Sequence, residues 1–175
     1  MSLYYITGVP GSGKTTVLAE LTRRGYEAYD TDYFADFYDI FTGEKALNGR
    51  TAQKRTKEWR QHHEWKLPVE TVAALRAKAG SAVIFLCGVT ANDDDFWKEF
   101  ANVFCLHVPP DEIERRLLGR PDQDDYGKNP HELAIAIEWA AYSKQQYEDL
   151  GAVIIDAAQA VEHIAQAIID QIHDR

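Results

Sequence analysis

"GVPGSGKTT", positions 8–16, comes directly after "LYYIT", Leu3–Thr7. The pentapeptide is β-branched, aromatic and apolar nearly throughout, so it reads as a strand. The nine residues after it contain three glycines, one proline, one lysine and two threonines. They satisfy G-x-x-x-x-G-K-[ST] at every fixed position: Gly8, Gly13, Lys14 and Thr15. The match also lies between a strand and a helix, the context in which this motif binds phosphate. The composition has a physical reason. Backbone N–H groups must turn inward to surround phosphate oxygens, and a side chain at Gly11 or Gly13 would resist the φ values or block the approach. Pro10, Ser12 and Thr16 complete the loop. Lys14 reaches the β- and γ-phosphates, and Thr15 offers its hydroxyl to Mg²⁺. The helix opening near Lys14 presents its positive dipole end to the anion. The loop predicts a bound nucleoside triphosphate with Mg²⁺. It does not fix the fate of that nucleotide once bound.

Working outward, strand-like runs recur at Glu27–Asp30, 82–87, 103–108 and 152–156. Several are apolar nearly throughout, which suits strands covered on both faces, as in a parallel sheet. Helical stretches fall between them at 14–24, 52–79, 92–100, 111–118, 131–150 and 160–173. Pro68 divides 52–79 into two helices. Asn92 or Asp93 caps the helix at 92–100. The last helix carries a stripe of Val161, Ile164, Ala165, Ile168, Ile169 and Ile172. Strand and helix alternate, so the fold class is a three-layer α/β domain around a five-stranded parallel sheet with right-handed crossovers. Two segments stand outside the alternation: an insertion at about 33–75 and a polar loop at about 119–130.

With 175 residues and 45% hydrophobic composition, the chain forms one domain over 1–175. Lys plus Arg is 19 and Asp plus Glu is 28, a net charge of −9. An acidic chain without a Lys/Arg run repels nucleic acid and anionic lipid. Cys87 and Cys105 lie in apolar runs and read as buried reduced thiols, not a disulfide framework. The apolar runs are strand-length, well short of the roughly 20 residues of a membrane span. These features predict a cytoplasmic protein with neither a nucleic-acid nor a membrane partner.

A second constellation is "YEAYDTDYFAD", in which Asp30 and Asp32 end the second strand. Strand C-termini line the ligand crevice of a parallel α/β sheet. One carboxylate there can hold Mg²⁺, directly or through water, and the other can orient or deprotonate a substrate hydroxyl. Capping of the next helix accounts for the same residues.

Together with "FLCG", "RRLLGR" and "GAVIIDA", these motifs make most of the chain resemble the small P-loop kinases related to nucleoside-monophosphate, shikimate and gluconate kinases. The resemblance implies a P-loop NTPase fold, ATP as phosphoryl donor with Mg²⁺, and a small-molecule phosphate acceptor. It implies a metal-side role for Asp30 and a substrate-side role for Asp32. It makes 119–130 a lid, where cations meet the charge of the transferring phosphoryl group. Arg116 and Arg120 are the candidates, with Arg115 and Lys128 as lesser ones. The lid departs from the shikimate kinase pattern, which has more arginines. The resemblance also makes the insertion a helical acceptor-binding region. Its "EWRQHHEWKLP", 58–68, offers Trp59 and Arg60 to stack on and pair with a substrate, although an amphipathic helix packing its tryptophans on the core explains them equally. Ala157 and Ala158 come after the last strand, where related kinases hold adenine with main-chain atoms.

For the acceptor, two residue sets compete. Arg50, Lys54, Arg55, Lys57 and Arg60 suit a monophosphate; Asp30, Asp32, Gln53 and Gln61 suit a sugar or nucleoside. The expected activity is ATP-dependent phosphotransfer to a nucleoside, nucleotide or sugar-like metabolite. The alternative is a nucleotide-binding switch or regulatory ATPase without an acceptor.

Overall fold

Leu3, Tyr5, Ile84 and Leu86 pack on one side of a central sheet, and Tyr4, Ile6, Phe85 and Cys87 on the other. In the computed structural model, which describes residues 2–46, 55–80, 82–121, 126–127 and 129–173, both strand faces are buried. This is why these strands are apolar without alternation.

The chain order begins β1 (Leu3–Thr7), α1 (Lys14–Arg23) and β2 (Glu27–Asp30), then a 3-10 turn at Thr31–Tyr33 and β3 (Asp36–Asp39). The insertion continues with α2 (Lys57–Arg60), β4 (His63–Lys66) and α3 (Val69–Lys78). Next come β5 (Ile84–Cys87), a 3-10 segment at Asp93–Glu99 and β6 (Asn102–His107). The chain closes with α4 (Pro110–Leu118), α5 (Pro130–Asp149), β7 (Val153–Asp156) and α6 (Val161–His173).

The main sheet is wholly parallel in the order β2-β5-β1-β6-β7. The chain runs from β1 outward to one side and later returns to fill the other. That reversal opens a crevice over the carboxyl end of β1. Val17 and Leu21 of α1, Ile113 and Leu117 of α4, and Ile164 to Ile169 of α6 cover one face. Val72 and Leu75 of α3, with Phe96 and Phe100, cover the other. Among the described residues no helix is long and apolar enough to cross a membrane.

Two expectations are corrected. The helix expected from 52 to Pro68 is a single turn at Lys57–Arg60 with a strand after it; residues 52–54 lie outside the described residues. β4 pairs antiparallel with β3, placing Trp65 opposite Phe37 with ring centres 4.8 Å apart. Cross-strand aromatic packing overrides the helical preference of "KEWRQHHEWK". Pro68 does separate this segment from α3. The helix expected at 92–100 is a 3-10 segment without a side-chain cap. Asn92 instead exchanges two hydrogen bonds with the backbone of Leu67, and Asp93 accepts from Thr90 and Tyr5. Long-range partners have outcompeted the local cap.

Candidate active site

The loop after β1 turns through Gly8, Gly11 and Gly13, all at positive φ. At Gly8, φ is +143°, and a Cβ would stand 2.5 Å from the Leu106 carbonyl oxygen. Both conformation and space therefore exclude other residues there. Ser12 N–H donates to the Val9 carbonyl at 3.1 Å, while the Ser12 hydroxyl is buried with no hydrogen-bond partner among the described residues. Lys14 Nζ donates to the carbonyls of Gly8 at 2.7 Å and Val9 at 3.1 Å. The residue is half-buried, but its ammonium is enclosed. Burial pushes its pKa down and nearby Arg120 adds to this, while Asp30 and Asp32 oppose it.

Two cavities open on this loop. The first, about 470 Å³, is lined by Gly11 to Val17, Arg116, Arg120, Ala157, Gln159, Val161 and Ile164. The second, about 520 Å³, holds Pro10, Asp30 and Asp32, the aromatic residues Phe37, Trp65, Tyr126 and Trp139, the arginines Arg55 and Arg60, and the 88–91 segment. Lys14, Thr15 and Arg120 line both.

Asp30 and Asp32 reach the second cavity because β2 ends at the crevice. Asp30 Oδ1 also accepts from Asp32 N–H at 3.0 Å, so the capping role is present too. Thr31 between them is fully buried against Gly88, where a Cβ would lie 1.8 Å from Thr31 Oγ1.

The arginines named from the sequence separate. Arg116 is a bridge: Nε donates to Glu112 at 2.6 Å, Nη1 to the Ser12 carbonyl at 3.2 Å and Nη2 to the Ala157 carbonyl at 2.9 Å. It joins the P-loop to the turn after β7. Arg115 pairs with Glu112 at the surface and lines neither cavity. Arg120 lies where the two cavities meet. Lys128 and 122–125 of the lid lie outside the described residues.

Arg60 lines the second cavity; Trp59 lines neither. Trp59 stacks on His63 at 4.0 Å and meets Phe37 edge-on, so it packs the insertion. Ala157 lines the first cavity, but its N–H donates to the His107 carbonyl at 2.9 Å and its carbonyl receives Arg116. Ala158 N–H donates to Asp156. The Ala157 N–H and carbonyl and the Ala158 N–H are thus engaged within the protein. Of the two competing acceptor sets, Asp30, Asp32, Arg55 and Arg60 line the cavity, and Lys57 and Gln61 do not. Arg50, Gln53 and Lys54 lie outside the described residues.

Sequence reasoning missed Glu132, fully buried on α5, which accepts from Arg55 Nε at 2.8 Å and from Arg60 Nη2 at 2.5 Å. In the sequence it is an ordinary first-turn acid, so no local signal marks it. Also missed was Asp93, whose Oδ1 accepts from Thr90 N–H, Thr90 Oγ1 and Tyr5 OH while Oδ2 is buried without a partner among the described residues.

The donor set fits Mg²⁺ beside a phosphate cradle. Thr15, Asp30 and Asp32 line one cavity, and no group of three or more His, Cys, Asp or Glu side chains forms a protein cage among the described residues. Mg²⁺ takes one or two carboxylates and completes its shell with phosphate oxygens and water.

Known proteins share this architecture. A family model described as AAA domain matches residues 5–136. A UPF0200 protein of Thermococcus kodakarensis is 29% identical over 129 residues, 69% of each chain. Shikimate kinase from Acinetobacter baumannii, in complex with shikimate, superposes with a TM-score of 0.63 at 20% identity, over 99% of this chain and 94% of that one. A sugar kinase from Janibacter sp. HTCC2649 gives 0.56 at 21% identity, over 97% and 93%. Deoxyadenosine kinase from M. mycoides gives 0.52 at 15% identity, over 98% of each. At such identities the likeness is one of fold. The chain therefore belongs to the AAA domain family, and its fold is that of the small P-loop kinases.

Proposed function

We propose that the protein is an ATP-dependent phosphotransferase that moves the γ-phosphate of Mg-ATP to a small-molecule acceptor. One observation carries this reading: a phosphate cradle and a separate substrate-sized cavity share Lys14, Thr15 and Arg120 as common wall. A regulatory ATPase has no need of the second cavity. A transferase needs donor and acceptor on either side of the same cations.

ATP lies on the loop from Gly8 to Thr16. Thr15 and Asp30 hold Mg²⁺, which when bound neutralises the phosphate oxygens. Lys14 and Arg120 stabilise the charge of the transferring group. Asp32 orients the acceptor hydroxyl and takes its proton as the new phosphorus–oxygen bond forms and ADP departs. Arg116 ties the P-loop to the base-side turn, and Arg60 contacts the acceptor from the insertion. Catalysis consists of positioning and electrostatics.

The fold relatives are named as kinases of shikimate, a sugar and deoxyadenosine, so the fold does not select an acceptor. The test is ADP release from ATP with and without a panel of nucleosides, nucleotides, sugars and hydroxy acids. Acceptor-dependent release, abolished by Lys14→Ala, is expected. Release that no acceptor stimulates would make the protein a regulatory ATPase.

A further inference from the structure

The 88–91 segment comes directly after β5 and forms one wall of the second cavity. It spans two features of that site. At one end Gly88 packs on Thr31, which lies between Asp30 and Asp32, and Gly88 N–H donates to the Ile6 carbonyl at 2.9 Å. At the other end Ala91 N–H donates to the Trp65 carbonyl at 2.7 Å. Thr90 stands between them and is buried. Its N–H donates to Asp93 Oδ1 at 2.9 Å, and its hydroxyl donates to the same oxygen at 2.6 Å.

Asp93 is a costly way to close this turn. Burial raises its carboxyl, against the hydrogen bonds from Thr90 and Tyr5, and Oδ2 is buried without a partner among the described residues. An asparagine would accept the same bonds without desolvating a carboxyl. It could also turn its NH2 toward Thr90 and reverse the bond, whereas a carboxylate has no donor to turn. Direction is therefore what the acid adds. Oδ1 takes three donors: Thr90 N–H, the Thr90 hydroxyl and, at 2.8 Å, the Tyr5 hydroxyl. Any proton that Asp93 holds sits on Oδ2, and Oδ1 accepts in either charge state. Tyr5 belongs to β1, so the carboxyl is anchored to the central strand and is in place before a ligand arrives.

A hydroxyl has one proton and two lone pairs. With that proton given to Asp93, Thr90 Oγ1 has only lone pairs to offer. An anionic oxygen placed against it would meet lone pairs and no donor. A hydroxyl or N–H of the ligand would meet a preorganised partner, on the same wall as the carboxylates of Asp30 and Asp32.

We propose that Thr90 is a specificity-determining residue that accepts a hydrogen bond from a second hydroxyl or N–H of the phosphate acceptor, and that Asp93 is the positioning residue that holds the Thr90 proton away from it. This rests on the phosphotransferase reading. It narrows the substrate class to compounds that carry a donor besides the group that is phosphorylated, such as polyols, nucleosides and amino alcohols.

Adenosine, thymidine, glucose, gluconate and shikimate are assayed for ADP release with Mg-ATP. For the best of them, each remaining hydroxyl is replaced in turn by hydrogen and by fluorine, which cannot donate. At one position both replacements should raise KM about tenfold, with KM for ATP within about twofold. Thr90→Val should raise KM for the parent compound by the same factor and erase the difference between parent and deoxy analogue. Thr90→Ser should keep the parent within about threefold of the wild type. Asp93→Ala should raise the acceptor KM about tenfold in the wild type and less than about twofold in Thr90→Val, because it acts through that hydroxyl. Additive losses would reduce Asp93 to a structural role and overturn its part of the proposal.

Should a variant fail to fold, the analogue series on the wild type decides alone. Turnover that no replacement weakens, or fluorine serving as well as hydroxyl, would overturn the proposal and leave the transferase intact. A parent–deoxy difference that survives in folded Thr90→Val would do the same. Stimulation by no member of the panel would overturn both.

Discussion

Gly88 and Thr31 occupy one another's space: a Cβ on Gly88 would lie 1.8 Å from Thr31 Oγ1 and 2.6 Å from Thr31 Cβ. Thr31 is fully buried between Asp30 and Asp32, and Gly88 comes just after β5, the neighbouring strand. The contact sets where β2 ends, and hence where the two carboxylates enter the cavity. Gly88→Ala should cost about 1–3 kcal/mol by overpacking and weaken turnover as well. Thr31→Val keeps the shape and removes a buried hydroxyl that has no partner among the described residues, so stability should hold or rise. Urea denaturation of both variants checks the pair; an unaffected Gly88→Ala would contradict the packing account.

Lys14→Ala should reduce turnover by at least about 100-fold, because a cation aimed at the transferring phosphoryl group is lost. The fold should persist, since among the described residues the lysine side chain bonds only to carbonyls of its own loop. Circular dichroism beside the ADP-release assay separates the two effects. A fully active variant would end the transferase reading.

Asp32→Asn should lower kcat by about 100-fold or more while ATP affinity changes little, as befits a group acting on the acceptor proton. Calorimetric titration with an ATP analogue measures the second quantity. Equal loss of both would assign Asp32 to the nucleotide side.

Arg116→Ala removes the link between the Ser12 and Ala157 carbonyls. Charge-assisted hydrogen bonds of this kind are worth about 1.5–3 kcal/mol each, so ATP affinity should fall about tenfold or more with the acceptor KM unchanged. A change confined to the acceptor KM would show that the residue belongs to the other cavity.

Burial pushes the Asp93 carboxyl up from 3.8 to about 6, against the opposing hydrogen bonds from Thr90 and Tyr5. Between those values the folded protein keeps a proton that the unfolded chain has released. The stability contribution is therefore complete below the lower pKa and is lost as pH rises through the upper one, an amplitude on the order of 3 kcal/mol. Asp93→Asn should abolish that component. Subtracting its stability from that of the wild type between pH 4 and 7 should give a slope in this window. A flat difference would mean that Asp93 titrates normally.

The P-loop, the five parallel strands and the Asp30–Asp32 pair were legible because each is a contiguous signal. Backbone freedom at Gly8, Gly11 and Gly13, strand-length apolar runs, and a strand end are local properties of a few neighbouring residues. The β3–β4 ribbon was not legible, because Phe37 and Trp65 pair from distant positions in the chain and tertiary contact outweighed helical propensity. Arg116 read as a lid cation, yet its partners come from Ser12 and Ala157, far away in the chain.

The amino-acid order alone determined the phosphate cradle and its place in the chain, because a run of successive inward-turned backbone amides needs only adjacent residues. Tertiary structure alone decided what lies across from it. Arg55 and Arg60 line the second cavity, and both are held by Glu132 through contacts more than 70 residues apart in the chain. The charge of that enclosure is a sum over side chains that only folding brings together.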